Sequence, residues 1–144
     1  MPDLRVRALQ LLTRREYSRA ALKDRLAAEA ESPETLDAVL DQLEAERLLS
    51  DPRYAAARVR ARGGRYGNAR LRQELRQQGV ADEEIAAALP EAGDEEVRCR
   101  QVWLRKFTAL PASPEERARQ MRFLQYRGFA ADTIRRVLRG DDES

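Results

Sequence analysis

Leu26, Leu75 and Leu124 stand 49 residues apart, and the same spacing relates Ala30, Gly79 and Gly128, then Leu36, Ile85 and Ile134, then Leu40, Leu89 and Leu138. One pattern therefore recurs three times without an insertion: an apolar residue, a small residue four on, an aliphatic six further and Leu four further. A period of this size means stacked supersecondary units, each unable to bury its apolar face alone. Leu22 and Leu71 extend the pattern one turn upstream, where Gln120 breaks it and Met121 is the expected substitute. Residue types decide what the units are made of. Thr, Val and Ile are scarce beside Ala, Leu, Arg and Glu, and aromatic residues make up 6% of the 144-residue chain. Strands favour β-branched and aromatic side chains, whereas Ala, Leu, Arg and Glu are strong helix formers. The expected fold is all-α, with three tandem three-helix repeats forming an elongated helical stack.

Local signals place the helices. From Arg70 to Gln78, Leu71 and Leu75 share one stripe, and Gly79 follows where a left-handed residue ends a helix. Asp82 offers an N-cap for a helix carrying Ile85 and Leu89. Leu124, Gly128, Phe129, Asp132, Ile134 and Leu138 repeat that grammar. The first unit departs from it, with Ala30 in place of Gly and Ser32-Pro33 restarting the chain as N-cap and N1. A further helix precedes each pair: Asp3 to Arg14, Asp51-Pro52 to Gly63-Gly64, and Asp94 to Phe107. Ser113-Pro114-Glu115-Glu116 reads as a capping box. The repeats are expected at residues 1–49, 50–92 and 93–144, the second Arg-rich and the third ending in a frayed acidic tail, Asp141-Asp142-Glu143. Each is too small to hold much core of its own, so stability must come partly from stacking.

Composition excludes several kinds of chemistry. With no His, the commonest general base, metal ligand and pH switch is missing. Cys99, the one cysteine, permits no internal disulfide and no CxxC zinc knuckle, and is read as a small apolar core residue. Neither GxxxxGK[ST] nor GxGxxG occurs, so no nucleotide is expected on those loops. Asp82-Glu83-Glu84 and Asp94-Glu95-Glu96 are first-turn acids rather than metal ligands. No apolar run approaches the roughly 20 residues of a membrane span, and Met1-Pro2-Asp3-Leu4-Arg5 does not open a secretory signal. The expectation is a cytoplasmic, non-enzymatic protein without cofactor or metal.

The net charge of +2 hides an uneven distribution. Residues 51–79 hold eight Arg against two acids, whereas residues 80–96 hold seven acids and no base. Arg58 and Arg62 are four apart, as are Arg72 and Arg76, so neither pair can neutralise itself. Gly63, Gly64 and Gly67 flank Arg65 and Tyr66, which reads as a mobile loop whose backbone approaches a ligand and whose ring can stack. Arg58, Arg60, Arg62, Arg65, Tyr66, Arg70, Arg72 and Arg76 are therefore the candidate polyanion-binding set. The competing reading is a solvated basic face paired with the acids of residues 80–96 or 29–46. Arg135, Arg136 and Arg139 on the last helix form a secondary basic surface, although serving the helix end is an adequate explanation for Arg139. Tyr54, Trp103 and Phe107 fall on helical stripes as core.

The string from Leu11 to Ser18 (LLTRREYS), followed by Leu22 and Leu26, resembles the opening of the bacterial RecX regulators. So do residues 43–55 (LEAERLLSDPRYA), Gly67 before residues 71–80 (LRQELRQQGV), and Arg127-Gly128-Phe129 with Ile134 and Leu138. The resemblance implies a monomer that binds RecA, lodges in the groove of the RecA–single-stranded-DNA filament and suppresses its ATPase, strand exchange and SOS coprotease activity. It also implies direct binding of single-stranded DNA, with double-stranded DNA left open. Ala30 and the weakly matching linker at residues 109–113 depart from the family pattern. The alternatives are a sequence-independent or helix-turn-helix-type DNA-binding protein acting without RecA, and a helical scaffold for another protein.

Overall fold

The computed structural model describes residues 3–140, which puts the acidic tail outside the described residues. The described residues form nine α-helices: α1 (Leu4–Arg14), α2 (Arg19–Leu26), α3 (Pro33–Ala45), α4 (Asp51–Arg62), α5 (Asn68–Gln77), α6 (Asp82–Ala88), α7 (Glu95–Lys106), α8 (Pro114–Tyr126) and α9 (Ala131–Leu138). They make three tandem three-helix units with three separate apolar cores, drawn from residues between Ala8 and Leu49, Tyr54 and Leu89, and Cys99 and Leu138. The columns headed by Leu26, Leu36 and Leu40 are buried in all three units.

Side-chain caps start six of these helices, with Asp3 accepting from the Arg5 N–H at the head of α1. Ser18, Ser32, Ser50, Asp94 and Ser113 each accept a hydrogen bond from the backbone N–H three residues on, at 3.0–3.2 Å. Ser50 caps α4, which starts at Asp51-Pro52 as the sequence indicates. Asp82 is not the N-cap that its position suggests: Ala81 holds that place without a side-chain bond, and Asp82 enters the first turn. At Ser113 the carboxylate of Glu116 takes the N–H of Ala112 rather than that of the cap itself.

Gly79 and Gly128 end α5 and α8 with φ of +78° and +93°, as the spacing predicts. Ala30 has no such turn. Helix α2 instead runs into a 3-10 turn over Ala27–Glu29, and Ala30 is extended at φ −89°. Gln120 corrects the expectation for its column. It occupies the position itself, only 4% exposed, and accepts the Trp103 indole N–H at 2.8 Å while its amide donates to the Ala109 carbonyl at 3.2 Å. Both polar ends are satisfied, so the site tolerates an amide where its counterparts hold Leu. Met121 packs at the edge of the same core.

The units join by one recurring contact. Ser18, Arg19 and Ala20 in the first unit correspond, 49 residues on, to Gly67, Asn68 and Ala69 in the second. The Gly67 N–H donates to the Arg127 carbonyl at 2.8 Å and the Ala69 N–H to the Gly128 carbonyl at 3.1 Å. Asn68 N–H donates to the Glu95 carboxylate at 2.8 Å. At the other joint the Arg19 N–H donates to the Asp51 carboxylate at 2.7 Å, and the Ser18 hydroxyl donates to the Gln78 carbonyl at 2.6 Å. Asp51 and Glu95 are each the first residue of their helix. So the start of one unit's second helix seats on the Gly turn and the first helix of the next unit. The Ala30 end packs against the edge of the first core.

A Cβ at Gly67 would overlap the Gly128 backbone, whereas one at Gly64 meets nothing within 4 Å. Gly67→Ala is therefore expected to cost about 1–3 kcal/mol, the usual range for overpacking against atoms that cannot yield, and Gly64→Ala almost nothing. Equal melting temperatures for the two variants would show that the units do not close up at Gly67.

Candidate nucleic-acid interface

The Arg-rich second unit is folded so that much of its charge is already answered. Helix α4 carries Arg58, Arg60 and Arg62, helix α5 carries Arg70, Arg72 and Arg76, and the connecting loop carries Arg65 and Tyr66. Arg62 grips Glu74 with two nitrogens at 2.6 and 3.0 Å, and Arg70 reaches the same carboxylate at 3.3 Å. Burial pushes Glu74 upward in pKa, but the hydrogen bond from Arg62 and the charges of Arg62 and Arg58 hold it below the ordinary Glu value. Arg60 pairs with Glu91 at 2.8 Å and Arg76 with Asp82 at 2.9 Å. Helical spacing sets Arg58 beside Arg62 and Arg72 beside Arg76, yet carboxylates elsewhere in the unit reach Arg62 and Arg76. Arg58, Arg65 and Arg72 have no carboxylate at ion-pair distance among the described residues.

Tyr66 gathers the guanidiniums. Those of Arg62 and Arg70 lie 4.6 Å from its ring centroid, Arg127 lies at 5.5 Å and Arg65 at 5.9 Å. The ring is half-buried against the second core, so its faces are occupied by the protein's own cations.

The loop that carries Arg65 and Tyr66 differs from its sequence reading. A Cβ at Gly63 would lie 2.6 Å from the Ala92 side chain, and Gly67 abuts Gly128, so these glycines permit close packing between elements rather than approach to a ligand. The loop is also pinned. Arg98, 4% exposed on α7, donates to the carbonyls of Gly63 (3.1 Å), Tyr66 (2.8 Å) and Gly93 (3.2 Å) and to the Asn68 side chain. Burial pulls its guanidinium below the ordinary Arg value, offset in part by Glu95 and Asp94. Arg105 donates to the Gly64 carbonyl and Arg127 to the Arg65 carbonyl.

On α9, Arg135 pairs with Asp132 and Arg136 with Glu96 at 2.6 Å, while Arg139 takes the C-cap position. The secondary basic surface is thus tied down locally. Cys99 is fully buried, and burial pushes its thiol up to about 12, which removes it as a nucleophile. No helix among the described residues is long and apolar enough to cross a membrane.

Family comparison covers the whole stack in order. The models described as the first, second and third three-helix domains of RecX match residues 5–43, 50–89 and 94–138. The chain belongs to the RecX family. The regulatory protein RecX of Chromobacterium violaceum is 46% identical over 143 residues, 98% of this chain and 93% of that protein. That of Ralstonia pickettii is 43% identical over 144 residues, 98% of this chain and 89% of that protein. A crystal structure of RecX from Lactobacillus salivarius shares the fold at TM-score 0.85 and 18% identity, over 96% of this chain and 94% of that one.

In this RecX chain the cations that sequence reasoning passed over lie on the third unit. Arg105, Lys106 and Arg127 sit at the ends of α7 and α8, and no carboxylate pairs with any of them among the described residues. For Arg127 the signal was present in residues 115–140, where seven Arg face three acids, but it pointed at α9. Which carboxylate would reach which Arg was not readable from spacing.

Glu74 ties two arginines at once, so Glu74→Gln is expected to destabilise by about 1–2 kcal/mol at pH 7. A carboxylate held below its unfolded value stabilises above that value and loses the contribution as pH falls through the folded one. The melting-temperature gap between variant and parent should therefore close below about pH 4. A gap that persists unchanged at pH 3 would show that the loss is not electrostatic.

Proposed function

We propose that this chain is a negative regulator of RecA that binds the RecA–single-stranded-DNA filament and inhibits its ATPase, strand exchange and SOS coprotease activities. The observation that carries the reading is the match to all three RecX domains, in order, along a stack whose joints repeat one contact. A stack of units offers a long surface, and a long surface can touch several neighbouring subunits of a filament. Bridging them opposes the subunit motions that ATP turnover and strand exchange require.

Charge divides the surface into parts with different roles. Arg58, Arg65 and Arg72 are free to meet phosphates, whereas Arg60, Arg62, Arg70 and Arg76 help to hold α4, α5 and α6 together. In the acidic first turn of α6, Asp82 is engaged by Arg76, and exposed Glu83 is the acid left to meet basic protein rather than DNA.

The test is RecA ATPase on single-stranded DNA. Inhibition is expected at well below one chain per RecA, because each chain spans more than one subunit. Undiminished turnover at equimolar chain would sink the RecA reading and favour a DNA-binding protein that acts without RecA.

A further inference from the structure

We propose that the hollow between α7 and α8, closed on the second unit's side by Arg65, seats the backbone phosphates of single-stranded DNA, with Tyr126 beside it as the platform for a base. The proposal rests on the reading that this chain meets single-stranded DNA and says where. The hollow is about 270 Å³ and is lined by Arg65, Val102, Arg105, Lys106, Phe123 and Arg127. It is smaller than the pockets that enclose whole small molecules, and its size suits a phosphate with its adjoining sugar.

Its charge is the first argument. Four of the six lining residues are cations and none is an acid. Arg105 and Arg127 each spend a nitrogen on a backbone carbonyl of the loop, Gly64 and Arg65 respectively. A carbonyl orients a guanidinium without neutralising it, so the forks are positioned while the charge stays available. Lys106 and Arg127 also lie over the Phe123 ring, at 5.5 and 5.2 Å, and Phe123 packs edge-on against Phe107. The cations are held on a rigid aromatic base rather than on loose stems.

The repeat supplies the second argument. Arg25, Glu74 and Phe123 fall 49 residues apart and so occupy one column of the three units. In the second unit that column holds Glu74, whose carboxylate neutralises Arg62. In the third unit the same position is Phe123, which leaves its groove open and cationic. Because Arg65 comes from one unit and the other cations from the next, a phosphate in the hollow also ties the two units together.

Single strands are favoured by what stands next to it. Tyr126 is 82% exposed, one helical turn from Phe123 and next in sequence to Arg127, and it lines the neighbouring groove with Arg70, Gln73, Glu74 and Gln77. A large exposed ring adjacent to a phosphate seat is the arrangement that stacks an unpaired base, and a duplex keeps its bases out of reach.

The experiment measures binding of a fluorescein-labelled oligo(dT) by the full chain, across a salt series. Arg105→Gln with Lys106→Gln is expected to weaken binding at least about fivefold at low salt. It should flatten the slope of log K on log salt by roughly one to one and a half, at about 0.7 per phosphate contact. Tyr126→Ala should weaken oligo(dT) about tenfold, in the range of one lost base stack, with the slope unchanged and little effect on duplex binding. Lys23→Gln with Arg47→Gln removes the same charge from the first unit and should leave both nearly as they were. Arg105 and Lys106 are exposed, and an unchanged melting temperature in this variant separates loss of the seat from loss of the Arg105–Gly64 tie. Parental affinity and slope in the Arg105/Lys106 variant would overturn the seat. Equal losses for duplex and oligo(dT) on Tyr126→Ala would overturn the single-strand assignment. Failure of the parent chain to bind oligo(dT) would overturn the seat while RecA inhibition, read in the same preparation, could still stand. Oligo(dT) binding through the seat with RecA turnover untouched would instead sink the regulator reading and leave the seat in place.

Discussion

Helix α5 begins where α8 ends, and the rest of the molecule depends on that abutment. The first turn of any helix has amide donors with no partner in the helix, and the last turn has spare carbonyls. Here Gly67 and Ala69 donate to Arg127 and Gly128, and Glu95 takes the amide between them. Each such bond is worth only about 1 kcal/mol net, but a buried donor left unmatched costs about 1–3 kcal/mol. Neighbouring units are therefore held in one register, because sliding by a residue would orphan several groups at once. The 49-residue period is the record of this constraint in the sequence. It keeps the N-terminal residues of one second helix and the Gly turn of the next at a fixed separation, at Ser18 with Gln78 and again at Gly67 with Arg127.

The two joints use the same geometry with different chemistry. Ser18 reaches Gln78 with its hydroxyl, whereas Gly67 comes close enough for its backbone N–H. At the second joint Arg98 adds a buried guanidinium that ties three carbonyls and Asn68 together without a carboxylate in its hydrogen-bond shell. A buried charge is costly unless its donors are all used, and the loop from Gly63 to Asn68 is shaped to use them. That clamp is what carries Arg65 to the mouth of the α7–α8 hollow. Packing between units and the placement of charge are one arrangement here.

The fold was legible because its signals are local or periodic. Leu26, Leu75 and Leu124 announced the units, Gly79 and Gly128 their turns, and Ser32-Pro33 and Ser113-Pro114 two helix starts. What stayed hidden required knowing which side chains meet across elements. Gln120 looked like a break until Trp103 supplied its partner. Gly63 and Gly67 looked like ligand-loop residues, yet they mark where Ala92 and Gly128 press in. The candidate arginines were visible one by one, but the carboxylates of Glu74, Asp82 and Glu91 that engage four of the seven come from positions that spacing alone does not orient. Arg98 gave no signal, because an isolated Arg on a helix reads as solvated surface.

Amide hydrogen exchange tests the central claim, that the second joint satisfies the start of α5. Amides at a helix start ordinarily exchange quickly, since nothing within the helix protects them. In this chain Gly67, Asn68 and Ala69 are expected to be protected to nearly the degree of mid-helix amides such as Val59. Arg98→Gln should strip protection from those three while leaving Val59 protected. Rapid exchange at Gly67 and Ala69 in the parent chain would contradict the account, because it would mean that the units are not seated on one another through this joint.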